Sequence, residues 1–285
     1  MVTPLKSEGY GFGECPSWRR VLRSLRKRCQ RFVPVDGHLI NQTLNEFVSG
    51  IVARLKLSIE TYALGLYIYY SVVLRKLGYS SNQLLYASVS LYLASKVVEK
   101  DSAIVNLTAL KKAACSYIPK EEYTRAEKTI LQLLDFNLEL DTFVSFVNVY
   151  LWRGVLYSDE GQFDCHQLSA FEQGVLTRCS GYVRSGKYLQ FQPERLAAYV
   201  VFAARKARGL EGWRDEISKY SEFSKRDIAQ LVEEIHSIDS VPTNALANQN
   251  PNTPNRSGLL LQKKLNIAES RVVQPTDAPL TSRER

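Results

Sequence analysis

The chain has 285 residues, 45% of them hydrophobic, enough for one large or two medium globular domains with buried cores. Its formal charge of +8 sits at the ends: residues 1–32 carry eight Lys or Arg against two acids and residues 241–285 six against three, leaving 33–240 at −1. This argues against a broad nucleic-acid surface on the central part, and the lack of an apolar signal core or membrane-length apolar run predicts a soluble intracellular protein.

Residues 1–17 contain Gly and Pro without periodicity and read as an irregular lead-in. Residues 18–32 are a basic amphipathic helix. Trp18, Val21, Leu22, Leu25, Cys29 and Phe32 form its apolar stripe, and Arg19, Arg20, Arg23, Arg26, Lys27, Arg28 and Arg31 cover the remainder. Such a helix packs peripherally on a domain, serves as a nuclear-import or nucleic-acid patch, or lies on a membrane surface; the first two are compatible. Pro34 and Gly37 end it.

Leu44, Phe47, Val48, Ile51, Val52 and Leu55 then give a one-sided helix, and Ser58 caps the next, which Gly78 stops. In residues 80–100, Leu84, Leu85, Ala87, Ser88, Leu91, Tyr92, Ala94, Ser95 and Val98 recur at steps of three and four and go most of the way round. That pattern predicts a central helix enclosed by others, begun by a Ser80–Gln83 capping box and ending in Lys96, Glu99 and Lys100. A fourth helix starts near Asn106 and a fifth opens with Glu121 and Glu122.

Asp141 can cap a further start, and a second set of five helices is expected over 142–153, 163–183, 193–208, 212–220 and 224–238. Its middle member echoes the central helix, with Ala87, Val89, Leu91, Tyr92 and Ala94 standing 110 residues before Ala197, Tyr199, Val201, Phe202 and Ala204. The echo predicts two similar domains in tandem. Beyond Pro242 the chain is rich in Pro, Asn and Thr and reads as a disordered tail, with an amphipathic hint only over 259–273.

The five cysteines are widely spaced without a CxxC pair, which fits free thiols rather than a disulfide frame. Cys165-His166 lacks a second pair to complete a tetrahedral metal site, and His38, His166 and His236 are scattered. With no Gly-rich phosphate loop and no nucleophile beside a base, the chain is not expected to be an enzyme or to need a cofactor.

Several stretches occur together in order: LSIETYALGLYIYY (57–70), LYLASKVVEK (91–100), EEYTRAEKTILQLLDFNL (121–138) and TFVSFVNVYL (142–151). With QPERLAAYVVFAARKARGL and EGWRDEISKYSEFSKRDIAQLVEEI behind them, residues 40–240 resemble the cyclins. The resemblance implies an all-α fold of two tandem five-helix cyclin-box domains. The expected divisions are 1–39 for the lead-in and basic helix, 40–140 for the first box, 141–240 for the second and 241–285 for the tail. It implies a non-catalytic subunit that binds and activates or redirects a cyclin-dependent protein kinase, in cell-cycle or transcriptional control, in the nucleus and cytoplasm.

Within the family, a lysine ending the third helix and a glutamate in the fifth hold the kinase; the matching positions are Lys96 and Glu127. Glu99 matches a further acidic position, and Phe136 an aromatic that closes the fifth helix against the partner. The substrate-docking run of many cell-cycle cyclins is replaced by Ile40-Asn41-Gln42-Thr43-Leu44, which keeps only the apolar ends. The short chain, divergent second box and basic flanks are similar to virus-encoded cyclins, those of fish retroviruses above all. The alternative is a doubled-box transcription factor of the TFIIB type, binding DNA and the transcription machinery; the paired CxxC motifs of its zinc ribbon are absent.

Overall fold

The computed structural model describes residues 16–240, other than 31, 79–81, 101–102, 154 and 162. Residues 1–15 of the predicted lead-in, and the tail with its segment 259–273, lie outside the described residues; Pro16 and Ser17, expected in the irregular lead-in, are instead the first residues of a helix. All regular elements among the described residues are helical, and none is long and apolar enough to cross a membrane. The chain divides into two compact units, Met1–His236 and Ser237–Arg285; the helices described below lie in the first, apart from the last turn of the final helix.

Helix α1 (Pro16–Cys29) is followed by a first set: α2 (Gln42–Leu55), α3 (Ile59–Tyr67, continuing as a π-helical stretch Ile68–Leu74 and a turn Arg75–Leu77), α4 (Gln83–Val98), α5 (Leu107–Ala113) and α6 (Lys120–Leu133). The second set is α7 (Phe143–Arg153), α8 (Cys165–Ser185), α9 (Pro193–Lys206), α10 (Asp215–Ser221) and α11 (Lys225–Ser240). Local chemistry places most of the boundaries. Asn41, Ser58 and Asn106 each accept a hydrogen bond from the backbone N–H three residues on, starting α2, α3 and α5. Asp164 and Gln167 form a capping box for α8, and Pro193 opens α9, where its missing N–H costs nothing.

Three expected boundaries are corrected. Helix α4 begins at Gln83 with Asn82 as N-cap, so Gln83 is the first helical residue and not the third, where a capping box with Ser80 would need it. Asp141 does not cap α7; its carboxylate pairs with Arg28 of α1, and α7 starts at Phe143. The helix expected from residue 212 begins only at Asp215. Gly212 instead lies against Phe202, where a Cβ would come within 2.3 Å of the ring.

Helix α4 is the centre of the first set, packed on α2, α3, α5 and α6. Leu85, Ala87, Val89, Leu91, Leu93 and Ala94 are buried, each large side chain contributing about 1.5–3 kcal/mol. Two of the three serines that share this buried surface are bonded locally, Ser88 donating to the Leu84 carbonyl at 2.7 Å and Ser95 to that of Tyr92 at 2.8 Å, while the buried Ser90 hydroxyl has no hydrogen-bond partner among the described residues. Close crossing with α3 depends on Gly65, where a Cβ would lie 2.9 Å from Leu91 Cα. In the second set α9 occupies the equivalent place, burying Leu196, Ala197, Val200, Val201 and Ala204 against α7 and α8.

The two sets are joined through the turn after α8. Gly186, at φ 72°, ends α8, and the following turn carries Tyr188 into the first set. Glu60 of α3 accepts from Ser145 of α7 at 2.9 Å. Helix α1 lies on the second set through buried Leu22 and Leu25.

One polar cluster was not expected. Arg205, at 0% exposure, is ion-paired with Glu160 and donates to the carbonyls of Val155 and Glu211, fixing the α7–α8 connection. Arg214 binds Asp159 at 2.8 and 2.9 Å in the same cluster, and its guanidinium lies 4.6 Å from the centre of the Tyr157 ring.

Candidate functional site

Lys96 and Glu127, the two matched positions, stand together as a charged lip where α4 meets α6. Helix α4 is buried as far as Ser95 and then surfaces, leaving Lys96 and Val97 exposed. Lys96 Nζ donates to Glu127 Oε1 of α6 at 2.6 Å, and the ammonium lies 4.1 Å from the centre of the Tyr92 ring one turn back. Partial burial lowers the lysine pKa, but the hydrogen bonds to Glu127 and Tyr92 outweigh it and hold it above the ordinary lysine value. Lys96 therefore carries its charge at neutral pH.

Exposure decides what this pair can be for. The Lys96 and Glu127 side chains retain 37% and 23% of their accessible surface, so solvent screens the attraction and the pair adds about 0–1 kcal/mol to the fold. The ammonium has three donors and the carboxylate two acceptor oxygens, more than their mutual bond consumes. A weakly stabilising pair with spare hydrogen-bonding capacity, at the rim of two packed helices, suits the recognition of polar groups on another molecule.

Beyond the end of α6, Asp135 and Phe136 both take left-handed backbone, at φ 51° and 56°. The Phe136 N–H bonds back to the Leu131 carbonyl at 2.8 Å, and its ring is 68% exposed. A core role for Phe136 is thereby excluded. Left-handed backbone is unfavourable for residues with a Cβ, and here it directs a large aromatic into solvent. Lys76 at the end of α3 donates to the Leu133 carbonyl at 2.6 Å, satisfying one of the open carbonyls at this helix end.

Glu99 is placed differently from the other three. Its Oε1 accepts from Ser58 N at 2.8 Å and from the Thr61 hydroxyl at 2.6 Å, at the N-terminus of α3. Burial raises the Glu99 pKa, but those hydrogen bonds outweigh it and leave it below the ordinary glutamate range. Sequence reading placed Glu99 at the lip; the partner it uses 41 positions upstream carried no signal.

Two members of the basic helix are occupied within the chain. Arg26 binds Glu194 of α9 at 2.6 and 2.7 Å, the Ser221 carbonyl at 2.8 Å and Glu222 at 2.8 Å, and Arg28 binds Asp141. Arg20, Arg23 and Lys27 are exposed. Arg31 lies outside the described residues, as does the Arg19 side chain. Among the described residues no three His, Cys, Asp or Glu are grouped to hold a metal ion. Burial pushes the Cys29 and Cys179 thiols up to about 12, which makes them poor nucleophiles at neutral pH.

Comparison with known proteins completes the assignment. Residues 38–139 match the family described as "Cyclin, N-terminal domain", and residues 180–256 match "Cyclin, C-terminal domain". The chain belongs to the cyclin family. Cyclin puc1 of Schizosaccharomyces pombe is 29% identical over 159 residues, a stretch covering 52% of this chain and 43% of that protein. The match thus spans less than half of the yeast relative. The crystal structure of a viral cyclin from herpesvirus saimiri superposes with a TM-score of 0.58 at 13% identity, covering 77% of this chain and 96% of that one. At that identity the likeness shows the shared two-box fold. In this cyclin α2–α6 lie in the N-terminal match and α9–α11 in the C-terminal one.

Proposed function

We propose that this cyclin is a non-catalytic regulatory subunit that docks a cyclin-dependent protein kinase on the lip formed by Lys96, Val97, Glu127 and Phe136. The observation that carries the reading is the Lys96–Glu127 pair, partly exposed at 2.6 Å where α4 meets α6, with apolar groups held in water on the same two chain segments: Val97, next to Lys96, at 44% exposure and Phe136, just past the end of α6, at 68%. Apolar area contributes the affinity, and the paired charges direct hydrogen bonds to the polar groups of the partner.

The action lies in the kinase. A kinase aligns ATP only when a strand lysine pairs with a glutamate on a mobile helix, and a protein packed on that helix selects the aligned arrangement. The cyclin needs no reactive group for this; it needs a rigid face, which α4 provides by being packed on four neighbouring helices. Nuclear import through α1 would rely on Arg20, Arg23 and Lys27, because Arg26 and Arg28 hold the helix to the second set.

The test is capture of kinases from cell extract on the immobilised chain, identified by mass spectrometry, beside the double variant Lys96→Ala, Glu127→Ala. The wild-type chain is expected to retain a cyclin-dependent kinase and the double variant to lose it, with helical content and melting temperature unchanged. Equal retention by both overturns the reading.

A further inference from the structure

Helix α4 ends without a glycine. Its C-cap is Glu99 itself, with extended backbone and an N–H bonded to the Ser95 carbonyl at 3.1 Å. What ties this end down is the Glu99 side chain. Its Oε1 takes the Ser58 N–H, one of the donors that a helix start leaves without an intrahelical partner, together with the Thr61 hydroxyl. Ser58 and Thr61 are fixed in turn: the Ser58 hydroxyl donates to Thr61 Oγ1 at 3.0 Å, the Thr61 N–H donates to Ser58 Oγ at 3.1 Å, and Thr61 is fully buried. Lys96 and Val97 ride on the turn just before this clasp.

We infer that Glu99 is a positioning residue of the lip: by clasping the end of α4 to the start of α3 it fixes where the Lys96 ammonium and the Val97 side chain stand, without touching the partner itself. The inference rests on the proposed docking face. Its physical content is that charge-assisted hydrogen bonds tolerate only a few tenths of an ångström, so a frayed last turn of α4 weakens every bond Lys96 makes to another molecule. Anchored by a carboxylate at a helix N-terminus, the turn gains electrostatic support as well as the two bonds.

A thermodynamic cycle separates positioning from contact. Glu99→Ala, Thr61→Val and the double variant are compared for affinity to the cyclin-dependent kinase recovered on the wild-type chain. In the unbound chain, hydrogen exchange of the residue 99 amide is followed alongside the amides of α9. Each single variant is expected to weaken kinase binding about tenfold, the double no further than either single, with faster exchange at residue 99 and unchanged exchange in α9. Loss of affinity in Glu99→Ala but not in Thr61→Val would mean that the carboxylate contacts the kinase and would overturn the inference. So would exchange at residue 99 that neither change alters. If the variant Lys96→Ala, Glu127→Ala retains the kinase, the docking reading falls, while exchange in the unbound chain still reports whether the clasp holds the turn.

Discussion

The Tyr188 hydroxyl donates to the Ala63 carbonyl at 2.5 Å, joining the turn after α8 to the interior of α3. The bond is buried, with Tyr188 3% exposed and its ring 5.4 Å from that of Phe143. Tyr188→Phe keeps the packing and removes the bond, so a loss of about 1–1.5 kcal/mol is expected. Tyr188→Ala also empties the site and should cost about 3–5 kcal/mol. Urea denaturation of the two variants, read against the wild-type midpoint, gives both numbers.

Gly186 and Gly174 make opposite predictions on one helix. Gly186 has a left-handed φ of 72°, and a Cβ there would lie 2.6 Å from Ile40 and 2.7 Å from Asn45. Gly186→Ala therefore combines backbone strain with a clash at the junction of the two sets and should destabilise by about 2 kcal/mol or more. Gly174 sits within α8 with nothing within 4 Å of its would-be Cβ. Gly174→Ala should stabilise by about 0.5–1 kcal/mol through helix propensity alone. Melting temperatures moving in the same direction for both would contradict this account.

The buried Arg205–Glu160 pair behaves unlike the exposed pair at the lip. Arg205→Met leaves Glu160, whose side chain is only 9% exposed, without its main partner, and about 3–5 kcal/mol should be lost. Replacing both residues by methionine removes the stranded charge and should recover a good part of that loss. A double variant no more stable than Arg205→Met would show that the bonds to Val155 and Glu211, not the ion pair, hold the loop.

Glu60 gives a pH signature of defined sign. Burial raises its pKa, opposed by the hydrogen bond from Ser145, with Asp141 and Glu99 raising it further. A carboxyl whose folded pKa is raised favours the folded state while protonated and loses that contribution as pH climbs from the ordinary glutamate range through the raised value. Glu60→Gln, which can still accept from Ser145, lacks this loss. Its stability advantage over wild type should open across that window and be flat on either side, as checked by denaturation at a series of pH values.

Helix count and the two-set plan were legible because they depend on periodicity, local caps and family spacing; that spacing also singled out Lys96 and Glu127, though not their bond to each other. Ser58, Asn106 and Pro193 announce their helices with chemistry confined to a few residues. Long-range polar choices were not legible. Asp141 has the composition of a cap but is taken by Arg28, 113 positions away, and Glu99 serves a helix that starts 41 positions earlier. Arg205 reads as a basic residue near a helix end, yet it is buried because Glu160 and two carbonyls from outside α9 converge on it. The π-helical stretch in α3 also left no mark, since its apolar residues satisfy either winding.

If the proposed docking face is used, the left-handed pair at Asp135 and Phe136 separates what suits folding from what suits docking. Selection for heat resistance alone should exchange Phe136 for glycine or asparagine, which relax the backbone and withdraw an oily ring from water. Under the proposed docking reading, selection for kinase binding should keep the phenylalanine despite its awkward torsion. Two libraries at this single codon, one ranked by survival on heating and one by signalling output, ought to enrich opposite residues.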